Sequence, residues 1–441
     1  MRTINTILLS ALLLLGSGTA VRAEEYPYQE EDHPPITSGY LYLTDTDNGQ
    51  VLWTVGGEER IYPASMTKVM SAVIMIEGCP ELEETVRITD AMWSGLIEAN
   101  ASVAGFLPGD EPTVRELLYG VLLPSGADAD NALAMTYFGG TGPFVDRMNQ
   151  KAAELGMAST HFANCTGLHD PDHYSTVHDI SILMEYALQN PLFCEILGTR
   201  EYTTRPLLSH PEGLTLESTS WPLINDGPDT YAIPGFLGGK TGYTVPAGRC
   251  FTSHAEFNGM HLVLTTAHSE GTGHLADAAS VYTWYAEHYE RKTLLSAGEH
   301  LTEVTVNDTL PEVIFEVAVP ETVTMDLPAE AAPEIVSTVP ERIQAPLAAG
   351  DVLGTLTVTV QGQTVYETTI VSETDAEYST LAHIINTLNA LRGEHPFLFW
   401  TAALLIILLV LLLILIIRRT IRRRIRRARR RKRAARKKTD R

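Results

Sequence analysis

From Pro396 to Ile417 the chain runs for 22 residues without one charged side chain, PFLFWTAALLIILLVLLLILII, and then turns abruptly basic. As a helix this run would measure about 33 Å, enough to cross the hydrocarbon core of a bilayer. It predicts one transmembrane helix over residues 396–417. The segment behind it, 418–441, holds 16 of the 32 Lys+Arg and a single acid, Asp440, so residues 1–417 carry 16 basic against 53 acidic side chains. The overall charge of −22 therefore hides two environments. By the positive-inside rule the basic tail stays in the cytoplasm and the acidic bulk lies outside. Against a membrane span, the arginines are read as a topology lock and a contact for anionic lipid headgroups, not as a nucleic-acid patch.

The other end agrees. Arg2, the apolar run Ile7 to Leu15 and Val21-Arg22-Ala23 have the order of a secretory signal, residues 1–23, with an uncleaved anchor as the alternative. A mobile leader is expected over 24–35, rich in Glu and Pro. Cys79, Cys165, Cys194 and Cys250 are too far apart for a CxxC motif; export permits disulfides but spacing does not pair them.

Between the two ends, strand-forming runs YLYLTD and QVLWTV flank Asp47-Asn48-Gly49, and RCFTSHAEF and MHLVLTTAH flank Asn258-Gly259, so two hairpins are predicted. Helical patterns lie between them at Lys68 to Glu77, Val114 to Leu123, Ala129 to Tyr137 and Phe144 to Leu155. Strand pairs that bracket a helical insert predict an α+β catalytic domain over 36–294, an antiparallel sheet backed by helices. Beyond it, short alternating strands broken by Pro and Gly predict a small all-β stalk over 295–375. Leu381, Ile384, Ile385, Leu388 and Leu391 then share one face of an amphipathic helix, 376–395, expected to pack on the β domain or lie along the membrane.

Three short strings stand in a fixed order: Ser65-Met66-Thr67-Lys68, Ser125-Gly126-Ala127 and Lys240-Thr241-Gly242. Ser and Lys three apart would recur by chance about once in a chain of ordinary composition, so the order is the evidence. Serine barely ionises at neutral pH and needs a base within hydrogen-bond reach. Lys68 meets that need if Ser65 and Lys68 open a helix, because positions three apart share a face. A free lysine is about 99.9% protonated at pH 7, so burial or a second ammonium, with Lys240 the candidate, must displace the proton.

With flanking Tyr62-Pro63-Ala64, Gly238-Gly239, Tyr243-Thr244, Ala247-Gly248 and the stretch 159–179 (STHFANCTGLHDPDHYSTVHD), the chain resembles the D-alanyl-D-alanine carboxypeptidases over about residues 36 to 375. These low-molecular-mass penicillin-binding proteins trim cell-wall stem peptides. The resemblance implies a serine β-lactamase or DD-transpeptidase-like fold and a serine peptidase without cofactor or metal. It implies penicillins as inhibitors and cell-wall stem peptide as substrate. Catalysis would fall to Ser65, Lys68 and Ser125, with Ser125 relaying the proton to the leaving nitrogen. Lys240, Thr241, Gly242 and Tyr243 would bind substrate: Lys240 and Thr241 its terminal carboxylate, Gly242 its close approach to the strand, and the N–H groups of Tyr243 and Ser65 the oxyanion.

The second motif departs from the family at Ala127, where Asn is usual; Asp128 beside it either partly substitutes for the amide or is a solvated loop acid, the second being the preferred reading. Arg249 either adds charge near the carboxylate site or only faces solvent. His161, His169, His173 and His178, with Asp170, Asp172 and Asp179, lack the spacing of an HExxH site. Tyr174-Ser175-Thr176 is read as a turn with a helix cap. The leading expectation is a membrane-anchored serine D,D-carboxypeptidase. A β-lactamase, for which no Glu-x-Glu-Leu-Asn string exists, a zinc peptidase on the histidines and a wall-binding scaffold with an impaired site are the alternatives.

Overall fold

The computed structural model describes residues 33–439 except 80, 226–229 and 361, with side chains of the last helix described as far as Arg427. The signal segment 1–23 and nearly all of the leader 24–35 lie outside the described residues.

The first expected hairpin forms β1 (Tyr40–Asp45) and β2 (Val51–Val55), turned by Gly49 at φ +69° with Asp45 Oδ1 accepting from the N–H groups of Asp47 and Asn48. The helical insert follows as α1 (Lys68–Gly78), α2 (Val114–Leu122), α3 (Ala127–Tyr137), α4 (Thr141–Glu154), α5 (Val177–Leu188) and α6 (Pro191–Leu197). A short hairpin, β3 (Glu201–Thr203) and β4 (Thr215–Glu217), comes before β5 (Phe236–Thr244), β6 (Gly248–Phe257), β7 (Met260–Ser269) and α7 (Gly273–His288). Strands β1, β2, β5, β6 and β7 make one antiparallel sheet in the order β2-β1-β7-β6-β5. Its two faces are read directly from strand alternation. Leu262 and Leu264 join Phe251 and Ala255 in a core with Leu275, Val281 and Tyr282 of α7. On the opposite face, Cys250 and Ala267 pack with Val177 and Ile180 of α5 and with Met66.

Local chemistry explains the helix starts. Thr113 accepts from Glu116 N–H while Glu116 Oε2 accepts from Thr113 N–H, a reciprocal cap on α2. Thr176 caps α5 by accepting from Asp179 N–H, as expected of the 174–176 turn.

The β-rich part begins earlier than residue 295. β8 (Tyr289–Leu295), counted above with the catalytic segment, pairs with β11 (Val323–Pro328), and its Leu294 and Leu295 enter the second core because their neighbours there are Val304, Leu327 and Leu356. β9 (His300–Asn307) pairs with β10 (Val313–Ala318) and, in parallel, with β13 (Arg342–Gln344); β12 (Pro333–Ser337), β14 (Val352–Val360) and β15 (Gln363–Val371) form a third sheet. Helix α8 (Thr380–Glu394) follows, tied down by His383 and Asn386, which both contact the Asp308 carboxylate. Leu381, Ile384, Ile385, Leu388 and Leu391 share a face as expected but remain exposed, which removes packing against the β-rich part as their role. Helix α9 (Pro396–Thr439) contains the apolar run and continues through the basic tail; its apolar window is unburied, long enough and apolar enough to cross a membrane.

Candidate active site

The chain enters α1 through one 3₁₀ turn, Ala64–Thr67, so Ser65 sits just ahead of the helix proper rather than within it. Residues three apart eclipse in a 3₁₀ turn, and the Ser65–Lys68 pairing survives the change. Lys68 Nζ lies 3.5 Å from Ser65 Oγ and donates to Thr166 O at 2.5 Å. Two non-glycine residues at this site have positive φ: Ala64 at +48° and Ser125 at +65°. Such strain persists only where the surroundings overdetermine it.

Ser125 comes from the turn between α2 and α3, and Lys240 from β5 at the edge of the sheet. Lys240 Nζ donates to Ser125 Oγ at 3.0 Å and to Thr241 O at 3.0 Å. Lys240 has no exposed surface, so the accessible polar group of this motif is Thr241, whose hydroxyl pairs with Thr219 at 2.7 Å. Tyr243 is exposed, and the Arg249 guanidinium lies 4.4 Å from its ring centre, next to the third motif rather than in bulk solvent alone. Gly242 is buried against the serine turn: a Cβ there would fall 3.0 Å from Pro63 O and 3.1 Å from Ser65 N. The close approach it allows is first of all strand to turn, the packing that brings β5 up to Ser65.

Burial holds the Lys68 ammonium below the usual lysine range, opposed by the charges of Asp130, Cys165 and Asp128. It pushes Lys240 well below that range, with the Lys68 charge second. Expectation and outcome differ here in emphasis: desolvation is the main agent acting on Lys68, and the lysine–lysine repulsion is seen on Lys240. The physical reason is that both amines are enclosed by protein, where the charged form is disfavoured before any neighbour is counted.

Asp128 is not a solvated loop acid. It is fully buried and accepts from the N–H groups of Ala104 at 2.6 Å, Gly105 at 2.9 Å and Phe106 at 3.0 Å. It anchors the loop beneath the second motif, while Ala127 N–H donates to Ser102 O. His173 is likewise structural: its Nδ1 accepts from Ala163 N–H at 3.1 Å, its Nε2 lies 2.7 Å from Thr67 Oγ1, and burial pushes it down to about 4. Among the described residues no three His, Cys, Asp or Glu side chains are arranged to hold a metal ion. All four cysteines are free, and Cys79, Cys165 and Cys250 are buried.

Sequence reasoning placed Ser65, Lys68, Ser125 and the third motif, and these converge. It missed Thr166, Thr219 and Asp130. Thr166 acts through its carbonyl, which leaves no side-chain signature, although it falls inside the stretch 159–179. It is held there because Gly167, at φ +80°, packs so tightly that a Cβ would meet Ala64 O at 2.1 Å.

An antiparallel sheet with helices on both faces and a Ser/Lys/Ser/Lys cleft at its edge strand defines a serine DD-peptidase. The D-alanyl-D-alanine carboxypeptidase family model matches residues 28–270, more than half of the chain, and a model described as the C-terminal domain of penicillin-binding protein 5 matches residues 289–378. The chain belongs to the D-alanyl-D-alanine carboxypeptidase family. It is 28% identical to the D-alanyl-D-alanine carboxypeptidase DacF of Bacillus subtilis over 382 residues, 85% of this chain and 94% of that one. It is 33% identical to DacB2 of Mycobacterium tuberculosis over 250 residues, 55% and 80% of the respective chains. Among solved structures, the Streptomyces K15 DD-transpeptidase superposes with TM-score 0.52 at 29% identity, covering 57% of this chain and 98% of that one. Penicillin-binding protein 5 of Haemophilus influenzae shares the fold, at TM-score 0.63 and 24% identity over 78% and 98% of the two chains.

Proposed function

We propose that this protein is a serine D,D-carboxypeptidase that removes the terminal D-alanine from peptidoglycan stem pentapeptides through an acyl-enzyme on Ser65, and that penicillins acylate the same oxygen. The observation that carries the reading is the convergence of two hydroxyls and two buried amines, with Lys68 Nζ 3.5 Å from Ser65 Oγ and Lys240 Nζ 3.0 Å from Ser125 Oγ. Lys68, its charge disfavoured by burial, takes the Ser65 proton as the hydroxyl attacks the penultimate carbonyl. The N–H groups of Ser65 and Tyr243 receive the oxyanion, and loss of one such donor would cost about 3 to 4 kcal/mol. Ser125, hydrogen-bonded to Lys240, returns the proton to the leaving amine. The substrate carboxylate lies at Thr241 and Thr219, in the field of Lys240 and Arg249. Water then releases the shortened peptide.

The same proposal covers the ends of the chain. An exported catalytic part is held outside the cell by one span over 396–417, and the β-rich part acts as a stalk. The basic tail 418–441 faces cytoplasm and anionic lipid headgroups, with no nucleic-acid role. Mass spectrometry of a synthetic stem pentapeptide and labelling with a fluorescent penicillin test the reading: native protein releases one D-alanine and carries label, and Ser65→Ala does neither. Absence of label on the native chain would favour a scaffold, rapid loss of label without D-alanine release a β-lactamase, and chelator sensitivity the zinc alternative.

A further inference from the structure

One buried group near the site has no part in the mechanism above. Asp130, one turn into α3, has no exposed surface, and neither carboxyl oxygen has a hydrogen-bond partner among the described residues. Ser71 and Cys165 are its weak side-chain partners and pull the carboxyl down, but their closer contacts lie elsewhere: Ser71 Oγ donates to Cys165 O at 2.9 Å, and Cys165 Sγ lies 3.7 Å from Asn131 Oδ1. A buried carboxyl without donors costs free energy unless a nearby cation compensates it. The surrounding residues point to that cation. Ser71 lies one turn beyond Lys68 on α1, and Cys165 precedes Thr166, whose carbonyl takes a Lys68 hydrogen. Lys68 N–H groups otherwise reach only Ser65 Oγ among the described residues. Three residues before Asp130 stands Ala127, at the position where the family resemblance places an amide.

We propose that Asp130 is a positioning residue for Lys68: its carboxylate attracts and stabilises the ammonium formed when Lys68 takes the Ser65 proton, in place of the amide missing at Ala127. The inference rests on the catalytic reading of Ser65 and Lys68. The step balances without any co-reactant. The Ser65 O–H bond breaks as Oγ–C forms, the proton moves to Lys68 Nζ, the carbonyl pair moves to oxygen, and the proton leaves later through Ser125 with the amine. Asp130 forms no bond and acts in its ionised form, which the Lys68 charge favours against burial. It makes no direct ion pair with Lys68, so the attraction acts through the protein interior, where the effective dielectric is lower than in water.

The electrostatics run the same way. Burial pushes the Asp130 carboxyl up to about 7, and the Lys68 charge pulls it back down, while the Asp130 charge raises Lys68 against desolvation. The other groups facing the pair are Asp128 on α3, Cys165 and His173 on the segment before α5, and Lys240 on β5. Asp128 is committed to three backbone N–H groups and His173 to Thr67, which leaves Asp130 as the unsatisfied anion.

The test is the pH dependence of acylation by a fluorescent penicillin in the full chain, for native protein, Asp130→Asn and Asp130→Ser. Native acylation rises with pH as Lys68 loses its proton. With the carboxylate gone, Lys68 sheds its proton more easily, so the rising limb should move to lower pH by one unit or more. The plateau rate should fall at least tenfold because the new ammonium lacks its partner, with kcat for pentapeptide falling and KM little changed. A purely structural role would lower the folded fraction and leave the limb where it is. If either folded neutral variant keeps the native limb and plateau, the proposal is overturned; the serine variant serves should the asparagine variant fail to fold. A native chain that takes no label overturns the catalytic reading instead, so the two failures are distinguishable.

Discussion

The cleft and the junction between the catalytic and β-rich parts handle buried charge in opposite ways. At the junction, Arg291 on β8 is bonded to Asp45 and Asp47 of the first hairpin and to Asp326 on β11. Asp45 and Asp326 are fully buried, but each has a guanidinium partner. Burial opposes the Arg291 charge, and Asp326 and Asp47 outweigh it, holding the group above its ordinary range. In the cleft, Lys68 and Lys240 are equally enclosed, yet no carboxylate pairs with either directly, and both sit below the lysine range. Matched charge fastens two parts of a molecule together. Unmatched charge leaves an amine ready to accept a proton, and Lys151 sharpens the point: it too is mostly buried, but Glu77 at 2.8 Å and Tyr186 overcome burial and raise it.

Substitutions can break each half of this contrast. Replacing the unmatched amine, Lys68→Met, should slow penicillin acylation by about 10²- to 10⁴-fold while the protein stays folded, as stopped-flow labelling and circular dichroism would check. Removing the matching cation, Arg291→Ala, should do the reverse: labelling persists, while urea unfolding shows a loss of about 3–5 kcal/mol because Asp45 and Asp326 are left buried without a partner. If Arg291→Ala were as stable as the native chain, the junction would not be held by this cluster. Gly242→Ala, which sets a methyl against Pro63 O and Ser65 N–H, should lower acylation about tenfold and also lower stability, since the strand must shift from the turn and the misplaced donor weakens oxyanion binding. The smallest change belongs to a residue outside both regions: Thr113→Ala, losing the α2 cap, should cost about 1 kcal/mol in the same unfolding experiment and leave labelling rates unaltered.

Much of the architecture was legible because it is written in local signals. Alternation gave the two hairpins, and periodicity gave α1 to α4 to within a few residues. The ordered motifs selected Ser65, Lys68, Ser125 and Lys240. The misses have physical causes. The strand β8 carries Glu, Arg and Lys and continues directly from α7, so nothing local marks it as the opening strand of the next core. Asp128 reads as a loop acid because its three partners are backbone amides some twenty residues away, which composition cannot reveal. Asp130 looks like one polar residue in an alanine-rich helix until packing removes all water from it. The apolar face of α8 was visible, but that it stays uncovered by the β-rich part was not.

The amino-acid sequence by itself determined which side chains are present for chemistry, their order, and an unbroken apolar run long enough to cross a bilayer, because these depend on residue identity and short spacing alone. Only the tertiary structure decided what those side chains are worth. Lys68 and Asp130 lose their water only when distant segments close over them, and desolvation is a property of the folded surroundings that no local stretch of chain contains.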